Sequence, residues 1–472
     1  MALVNVQGNW GYINRLSQEL YKVDINKLED TLLNMQNKIG KVELFSYQVE
    51  AIEQFKEKPL NLSDVGVGKS YMSIGSYVKS KCNKLLIICL APKVLDFVED
   101  GEAFGLKITP LNKGTKKNRE LLAESNHVAI SFESSWRLTE LLKWVDEDSF
   151  IIIDESHKVG VSKSKVTKFV MQLSKKAKYT YLCTATPVSN GKLENWYSQL
   201  YIANVFRKPK KEFEQLFVIK QMRQLGSMRF MQITDYRNEH LLQQMIDNAS
   251  VNYKRDKGYL PQDYVYKTKK PAMYNKMKKQ RMYQAEEAPF NPELIELDNS
   301  SKLFNALRQV SHGFLYGINK QVSKEPFERL EAILEAHNNE RVVIFYNYKW
   351  EGLMLGRLLD KLKRSYCTYN GAVKDLRPFK NNENGVVLAQ YKSASTGIND
   401  FVISNVTVFN SMPLSSTEYL QAKGRTDRHG QEKTPLYYHI IPDTPIEKKI
   451  FETVTNGKDF TNEMIESVDK YS

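Results

Sequence analysis

Short apolar runs rich in β-branched residues recur along the chain, each followed by a turn and a stretch of helical length. That rhythm restricts the fold to parallel strands joined by crossover helices. In the first half the runs are Leu85 to Leu90, His127 to Phe132, Phe150 to Asp154 and Tyr179 to Thr184. A second series follows at Arg341 to Tyr346, Tyr366 to Tyr369, Gly385 to Tyr391, Asn405 to Asn410 and Tyr437 to Ile441. The expected fold class is α/β, with two domains, each a mostly parallel sheet with helices on both faces. A chain of 472 residues has room for them, and no tandem repeat or low-complexity tract suggests another architecture.

Several function classes are set aside by composition. Cys82, Cys89, Cys183 and Cys367 lie far apart with no C-x-x-C pair, so neither a zinc site nor a disulfide framework is expected. No apolar stretch approaches the roughly 18 residues of a membrane span, and Met1 to Arg15 lacks the apolar core of a leader. A soluble protein of a reducing compartment is expected. The seven histidines form no H-N-H or metal-type cluster, which argues against a nuclease.

The formal charge of +13 is unevenly spread: residues 201 to 280 hold 17 Lys or Arg and only 7 Asp or Glu. Within them stand Arg207-Lys208-Pro209-Lys210-Lys211, Lys267-Thr268-Lys269-Lys270 and Lys276-Met277-Lys278-Lys279, with tyrosines interleaved. Such a segment is either a solvated linker or a phosphate-contacting surface.

Three short elements carry chemistry. Ser63-Asp64-Val65-Gly66-Val67-Gly68-Lys69-Ser70 is a phosphate-loop pattern in which small residues admit phosphates to backbone amides, Lys69 reaches the β and γ groups and Ser70 ligates Mg²⁺. Downstream, Phe150 to Ile153 delivers Asp154 and Glu155 to the carboxyl end of a strand, where open α/β sheets bind ligands. There Asp154 could hold Mg²⁺ and Glu155 could activate water. In the second domain, Arg425 and Arg428 stand three apart, so on a helix they would share a face and could present two guanidinium groups to one phosphate chain.

Taken in order, these elements resemble the Swi/Snf-type ATPases of helicase superfamily two, motors with two RecA-like lobes. The resemblance runs from about Leu44 to Lys458, and its most specific signal is the Q-x-x-x-R-x-x-R-x-G-Q pattern of Gln421 to Gln431. It implies that Gln48 contacts adenine and that Gly66, Val67, Gly68, Lys69 and Ser70 hold the phosphates. Leu90-Ala91-Pro92-Lys93, Ala129 to Glu133 (with Ser131) and Ser395-Thr396 would stand on the DNA side. Thr184, Ala185 and Thr186, within a T-A-T-P-V-S-N element, would couple hydrolysis to lobe movement together with Gln421 and Gln431. The chain departs from the family at Ser411 to Ser416, where an aromatic-asparagine-proline segment is usual, and in a fifth motif poorer in glycine. Its D-E-S-H box is similar to that of the annealing-helicase branch.

The resemblance also favours a DNA-side role for the basic segment, with Lys269, Lys270, Lys278 and Lys279 as contacts. The expected layout is an N-terminal extension at 1–40, lobe 1 at 41–205, a basic helical protrusion or linker at 206–295, lobe 2 at 296–450 and a C-terminal brace or tail at 451–472. Pro445 to Ile450 is similar to the family's brace, which returns toward lobe 1. The function expected is a monomeric double-stranded DNA translocase using ATP and Mg²⁺, a minimal two-lobe form from the cytoplasm of a bacterium or a virus-infected cell. Two alternatives stay open: an annealing, branch-migrating or strand-separating helicase on forked DNA, and a nucleotide-switched loader with slow hydrolysis.

Overall fold

The structure, a computed structural model, describes residues 38–39, 42–188, 191–225, 228–255, 259–285, 293–316, 318, 321–394, 400–428 and 430–467. Lobe 1 is a seven-stranded sheet in the spatial order Ser250–Val251, Leu60–Asn61, Tyr179–Cys183, Ser149–Asp154, Lys84–Cys89, His127–Ser131, Thr109–Leu111. Lobe 2 is a six-stranded sheet in the order Gln262–Thr268, Leu436–Pro442, Val406–Phe409, Val342–Tyr346, Val386–Gln390, Tyr366–Tyr369. Every pairing in both sheets is parallel. The two expected RecA-like lobes are present, and each apolar run named above falls on one of these strands.

Continuous apolar runs suit these strands because both faces are covered. In Lys84–Cys89, Leu86 and Ile88 enter the core on one side of the sheet while Leu85, Ile87 and Cys89 enter the core on the other. Lobe 2 repeats this: Val343 and Phe345 face one core, Val342 and Ile344 the other. All four cysteines are buried free thiols. Among the described residues no helix is long and apolar enough to cross a membrane.

The basic segment between the lobes is divided among three places. Val218–Leu225 and Met228–Tyr236 pair as an antiparallel hairpin. Ser250–Val251 then adds an edge to the lobe 1 sheet, and Gln262–Thr268 pairs with Leu436–Pro442 as the edge of lobe 2. The chain therefore crosses from one lobe to the other between residues 251 and 262.

The helix Pro445–Thr455 belongs to lobe 2. Its Ile446, Ile450 and Val454 are buried in the core that holds Leu303, Leu307 and Phe409. The family-like brace thus packs on its own lobe, because three apolar residues at helical spacing bury there. Only Phe451 and Thr455 reach the cavity between the lobes.

Candidate active site

The phosphate loop runs from the short strand Leu60–Asn61, which lies between Ser250–Val251 and Tyr179–Cys183, into the helix Lys69–Ser80. Gly66 and Gly68 take φ of +82° and +79°, a region that side chains with a Cβ rarely enter. A Cβ on Gly68 would also stand 2.3 Å from the Gln48 amide nitrogen, so the loop and the helix carrying Gln48 touch only because this residue is glycine. The first amides of a helix, directed outward from its start, attract anions.

Lys69 Nζ donates to the carbonyls of Ser63 at 2.9 Å and Asp64 at 2.8 Å. Burial pushes this ammonium below the usual lysine range, and the charges of Glu155, Asp154 and Asp64 pull it partly back. Gln48 lies beneath the loop: its amide donates to the Val67 carbonyl at 3.0 Å and accepts the Phe45 N–H at 3.0 Å. Its hydrogen bonds here are to backbone, and it holds the loop in place. Beside it, Tyr47 donates to the same carbonyl at 3.1 Å and stacks on Tyr253 with ring centres 3.8 Å apart.

A cavity of about 590 Å³ opens over this loop, lined from lobe 1 by Phe45, Tyr47, Gln48, Gly66, Gly68 and Ser70 and from lobe 2 by Asp400 and Arg428. Lys93 lines it too. Expected on the DNA side, Lys93 instead begins the helix Lys93–Ala103 beside the phosphate loop and pairs with Asp96 at 3.1 Å.

Asp154 and Glu155 end the strand Ser149–Asp154, and their surroundings push them apart. Burial and the neighbouring Glu155 raise the Asp154 carboxyl to about 6, against the pull of Lys93 and Lys69. For Glu155 burial is again the largest influence, but the His157 hydrogen bond and charge, then Lys69 and Arg425, outweigh it and leave this carboxyl below its ordinary value. Opposite displacement of two adjacent carboxyls is how one site separates their roles.

Glu155 also adopts φ +55° and ψ 54°, a left-handed conformation that costs a residue with a Cβ about 1 kcal/mol or more. The strain turns the side chain toward polar partners: Thr184 donates to it at 3.3 Å, and His157 Nδ1 stands at 3.3 Å from the same oxygen. From lobe 2, 266 residues away in sequence, Gln421 Nε2 reaches its other oxygen at 3.5 Å. Thr184 also accepts the N–H of Thr186 at 3.1 Å. Ala185 and Thr186 line a second inter-lobe cavity of about 640 Å³, opposite Tyr419, Lys423 and Gly424. At Gly424 a Cβ would meet Val65 Cγ1 at 3.0 Å, so glycine lets the lobe 2 helix approach the phosphate loop.

One expectation fails locally. The helix Ser416–Thr426 stops before Arg428, so Arg425 and Arg428 do not share a helix face. The break is held by Gln431, whose amide donates to the carbonyls of Thr426, Val402 and Ser404 at 3.0, 3.0 and 2.9 Å; this residue, expected to couple the lobes, is an internal pin of lobe 2. Arg425 is buried, and burial followed by the charge of Arg428 lowers its guanidinium to about 10. Arg428 reaches the phosphate-loop cavity.

Among the described residues no three His, Cys, Asp or Glu side chains cluster as a metal site. Mg²⁺ does not need one, since it is commonly held by one or two carboxylates with substrate phosphates. The hydroxyl of Ser70 and the half-buried carboxyl of Asp154 are hard oxygen donors of the right kind, and a cation beside Asp154 would stabilise the negative charge that its surroundings disfavour.

Ser131, expected to face DNA, caps the short helix Phe132–Ser135 by accepting the Ser134 N–H at 3.2 Å. Lys269, Lys270 and Lys279 are exposed on lobe 2, and Lys278 is half-buried. Ser395 and Thr396 lie outside the described residues.

Residues 32–315 match the SNF2-related domain, and residues 325–430 match the helicase conserved C-terminal domain. The chain belongs to the SNF2-related family. This SNF2-related protein, with its helicase C-terminal domain, is a helicase-like ATP hydrolase. Among solved structures it is similar to the Sulfolobus solfataricus SWI2/SNF2 ATPase core in complex with dsDNA, at 18% identity over 92% of this chain and 94% of that one, with a TM-score of 0.43. No curated protein matches it.

A bridge that the sequence does not announce joins the two halves of the site. Arg255 forms an ion pair with Asp427, the residue between Thr426 and Arg428. Its own N–H donates to Asp64 Oδ2 at 3.3 Å. Tyr259 donates to Asp427 at 3.3 Å, and the Tyr253 N–H donates to Ser63 Oγ at 2.9 Å. The crossing segment therefore ties the phosphate loop to the arginine motif. Arg255→Ala is expected to lower kcat for ATP hydrolysis about tenfold or more, since small misplacements of positioned groups are costly. KM for ATP is expected to change less, and Arg255→Lys to retain part of the rate. Steady-state kinetics showing an unchanged kcat in the alanine variant would remove Arg255 from this role.

Proposed function

We propose that the protein is an ATP-driven motor that moves along double-stranded DNA or remodels protein–DNA complexes. The observation that carries this reading is the position of Glu155: the one carboxylate suited to activate water receives a hydrogen bond from Gln421 of the opposite lobe and feels the charge of Arg425. Hydrolysis is then tied to the relative position of the lobes.

In this reading the helix start at Lys69–Ser80 and Lys69 bind the phosphate chain, and Ser70 and Asp154 hold Mg²⁺. The cation, when bound, neutralises charge on the phosphate oxygens. Glu155, kept ionised, accepts the proton of the attacking water. Arg425 and Arg428 offset the charge that develops as the terminal phosphoryl group leaves. Lobe closure assembles these parts, and opening returns Gln421 and the arginines to solvent.

Charge supports the choice of partner. Lys269, Lys270 and Lys279 are exposed on lobe 2 and Lys278 is half-buried there, and such side chains suit phosphates, which carry little sequence information. For duplex DNA, each phosphate that a lysine no longer neutralises lowers the slope of log affinity against log salt by about 0.9. Reversing these four charges is expected to flatten the slope measurably, and an unchanged slope would return them to ordinary solvated residues.

The reading is tested by comparing ATPase stimulation by duplex, single-stranded and forked DNA and by RNA, alongside triplex displacement. Stimulation by duplex DNA with triplex displacement supports a translocase. Strong stimulation by RNA alone would contradict it, and a tight stoichiometric partner with no displacement would favour a loader.

A further inference from the structure

The hairpin Val218–Leu225 and Met228–Tyr236 belongs to neither sheet. Its root is fixed. Phe217 and Val218 are buried in lobe 1, and Arg237 donates to the carbonyls of Phe217 at 3.0 Å and Val218 at 3.1 Å. A register shift between Ile233 and Asp235 bends the ribbon where it leaves the body. The outer half stands in solvent, with residues 221–224 and 229–232 all exposed.

That outer half has an unusual surface. Met222 pairs across the strands with Met231 on one face, and Arg223 pairs with Phe230 on the other. Met222, Met231 and Phe230 are 62%, 53% and 45% exposed. A ribbon with apolar groups on one face docks against a surface; a ribbon with them on both faces is covered only when it enters between two surfaces. A two-stranded ribbon is marginal in water, so exposed Met and Phe on both sides point to a bound state that covers them.

Charge selects the occupant. Arg223 and Arg229 stand on the outer half and residues 215 to 234 contain no Asp or Glu, while Lys220, nearer the root, pairs with Glu214 at 2.7 Å. The partner offering phosphates outside and apolar ring faces inside is a nucleic acid, whose base steps accept apolar wedges and aromatic rings. We propose that this hairpin is a strand-separating wedge, entering the fork between two nucleic-acid strands with Phe230 against the terminal base pair and Arg223 and Arg229 on the flanking phosphates. The wedge has a connection to the motor. Tyr236 at its root donates to Glu194, in the turn Leu193–Asn195 that follows the T-A-T-P element, so movement of that element reaches the ribbon.

This inference rests on the reading of the protein as a DNA motor, and its test separates the two. A fork carrying 2-aminopurine at the first duplex pair reports unstacking without ATP. Wild-type protein is expected to raise its fluorescence on binding. A variant with Met222→Ser, Phe230→Ser and Met231→Ser should not do so, and its ATP-dependent fork separation should fall about tenfold or more, the scale of removing one base–aromatic stack. Its ATPase stimulation by unforked duplex should persist, because no altered residue touches the nucleotide site. Phe230→Trp should keep the fluorescence rise.

Equal fluorescence and fork separation in the triple variant would overturn the wedge, as would a wild-type protein that binds forks without any rise. Loss of ATPase stimulation by every DNA in the wild type would instead overturn the motor reading, leaving the ATP-independent fluorescence result to judge the hairpin by itself.

Discussion

Glu155→Gln is expected to reduce ATP hydrolysis by about 10²- to 10⁴-fold, the range over which a positioned general base contributes. Glutamine keeps the shape and can still meet Thr184 and Gln421, but it cannot accept the proton of water. The conformation at φ +55° supports a large effect, since strain at one residue persists only where the surroundings fix it. Here Thr184, His157 and Gln421 fix it. ATP binding should remain, because Lys69 and the loop glycines are untouched. Single-turnover phosphate release together with binding of a fluorescent ATP analogue would check both halves, and a variant with near-normal hydrolysis would move the base elsewhere.

The second large effect concerns lobe 2. Arg308 and Glu447 are 2% and 0% exposed and bond at 2.9 Å, while His312 Nε2 stands 3.2 Å from the other Glu447 oxygen. Arg308 also donates to the Met412 carbonyl at 2.6 Å, in the stretch leading into the helix that carries Gln421 and Arg425. Arg308→Ala leaves Glu447 buried without its main partner and is expected to cost about 3–5 kcal/mol. Replacing both partners, Arg308→Met with Glu447→Leu, should recover most of that loss.

The same group gives a pH dependence. Burial alone would raise the Glu447 carboxyl, but Arg308 and His312 hold it at about 2, below the usual 4.5. A depressed carboxyl stabilises fully above its unfolded value, so this contribution is present above pH 4.5 and lost as the pH falls toward 2. Acid unfolding should therefore be shallower in the double variant than in the wild type over that interval. Identical acid transitions would show that the cluster contributes nothing of this kind.

How far the sequence disclosed this structure depended on what each element buries. Central strands such as Ser149–Asp154 were legible because both faces enter a core, which demands a continuous apolar run. The strands Leu60–Asn61 and Ser250–Val251 are too short to show a period, and most of the edge strand Gln262–Thr268 stays exposed. The phosphate loop and the carboxylate pair were visible because each occupies a few adjacent positions.

The Arg255–Asp427 bridge was not visible, since its partners lie 172 residues apart and the local sequence around each gives no sign that the charge is paired. The position of Lys93 beside the phosphate loop was not legible, because motif position says which strand end a residue leaves, not which side it turns to. The basic composition of residues 201 to 280 was real, but it conveyed neither the hairpin nor the passage of the chain between two sheets.

Steady-state ATPase of wild-type protein and of Lys69→Ala, each with and without duplex DNA, bears most directly on the central claim. Wild-type hydrolysis is expected to rise with duplex DNA, and the variant to remain folded by thermal melting yet show no hydrolysis in either condition. A folded Lys69→Ala protein with unchanged DNA-stimulated hydrolysis would contradict the assignment of the inter-lobe site.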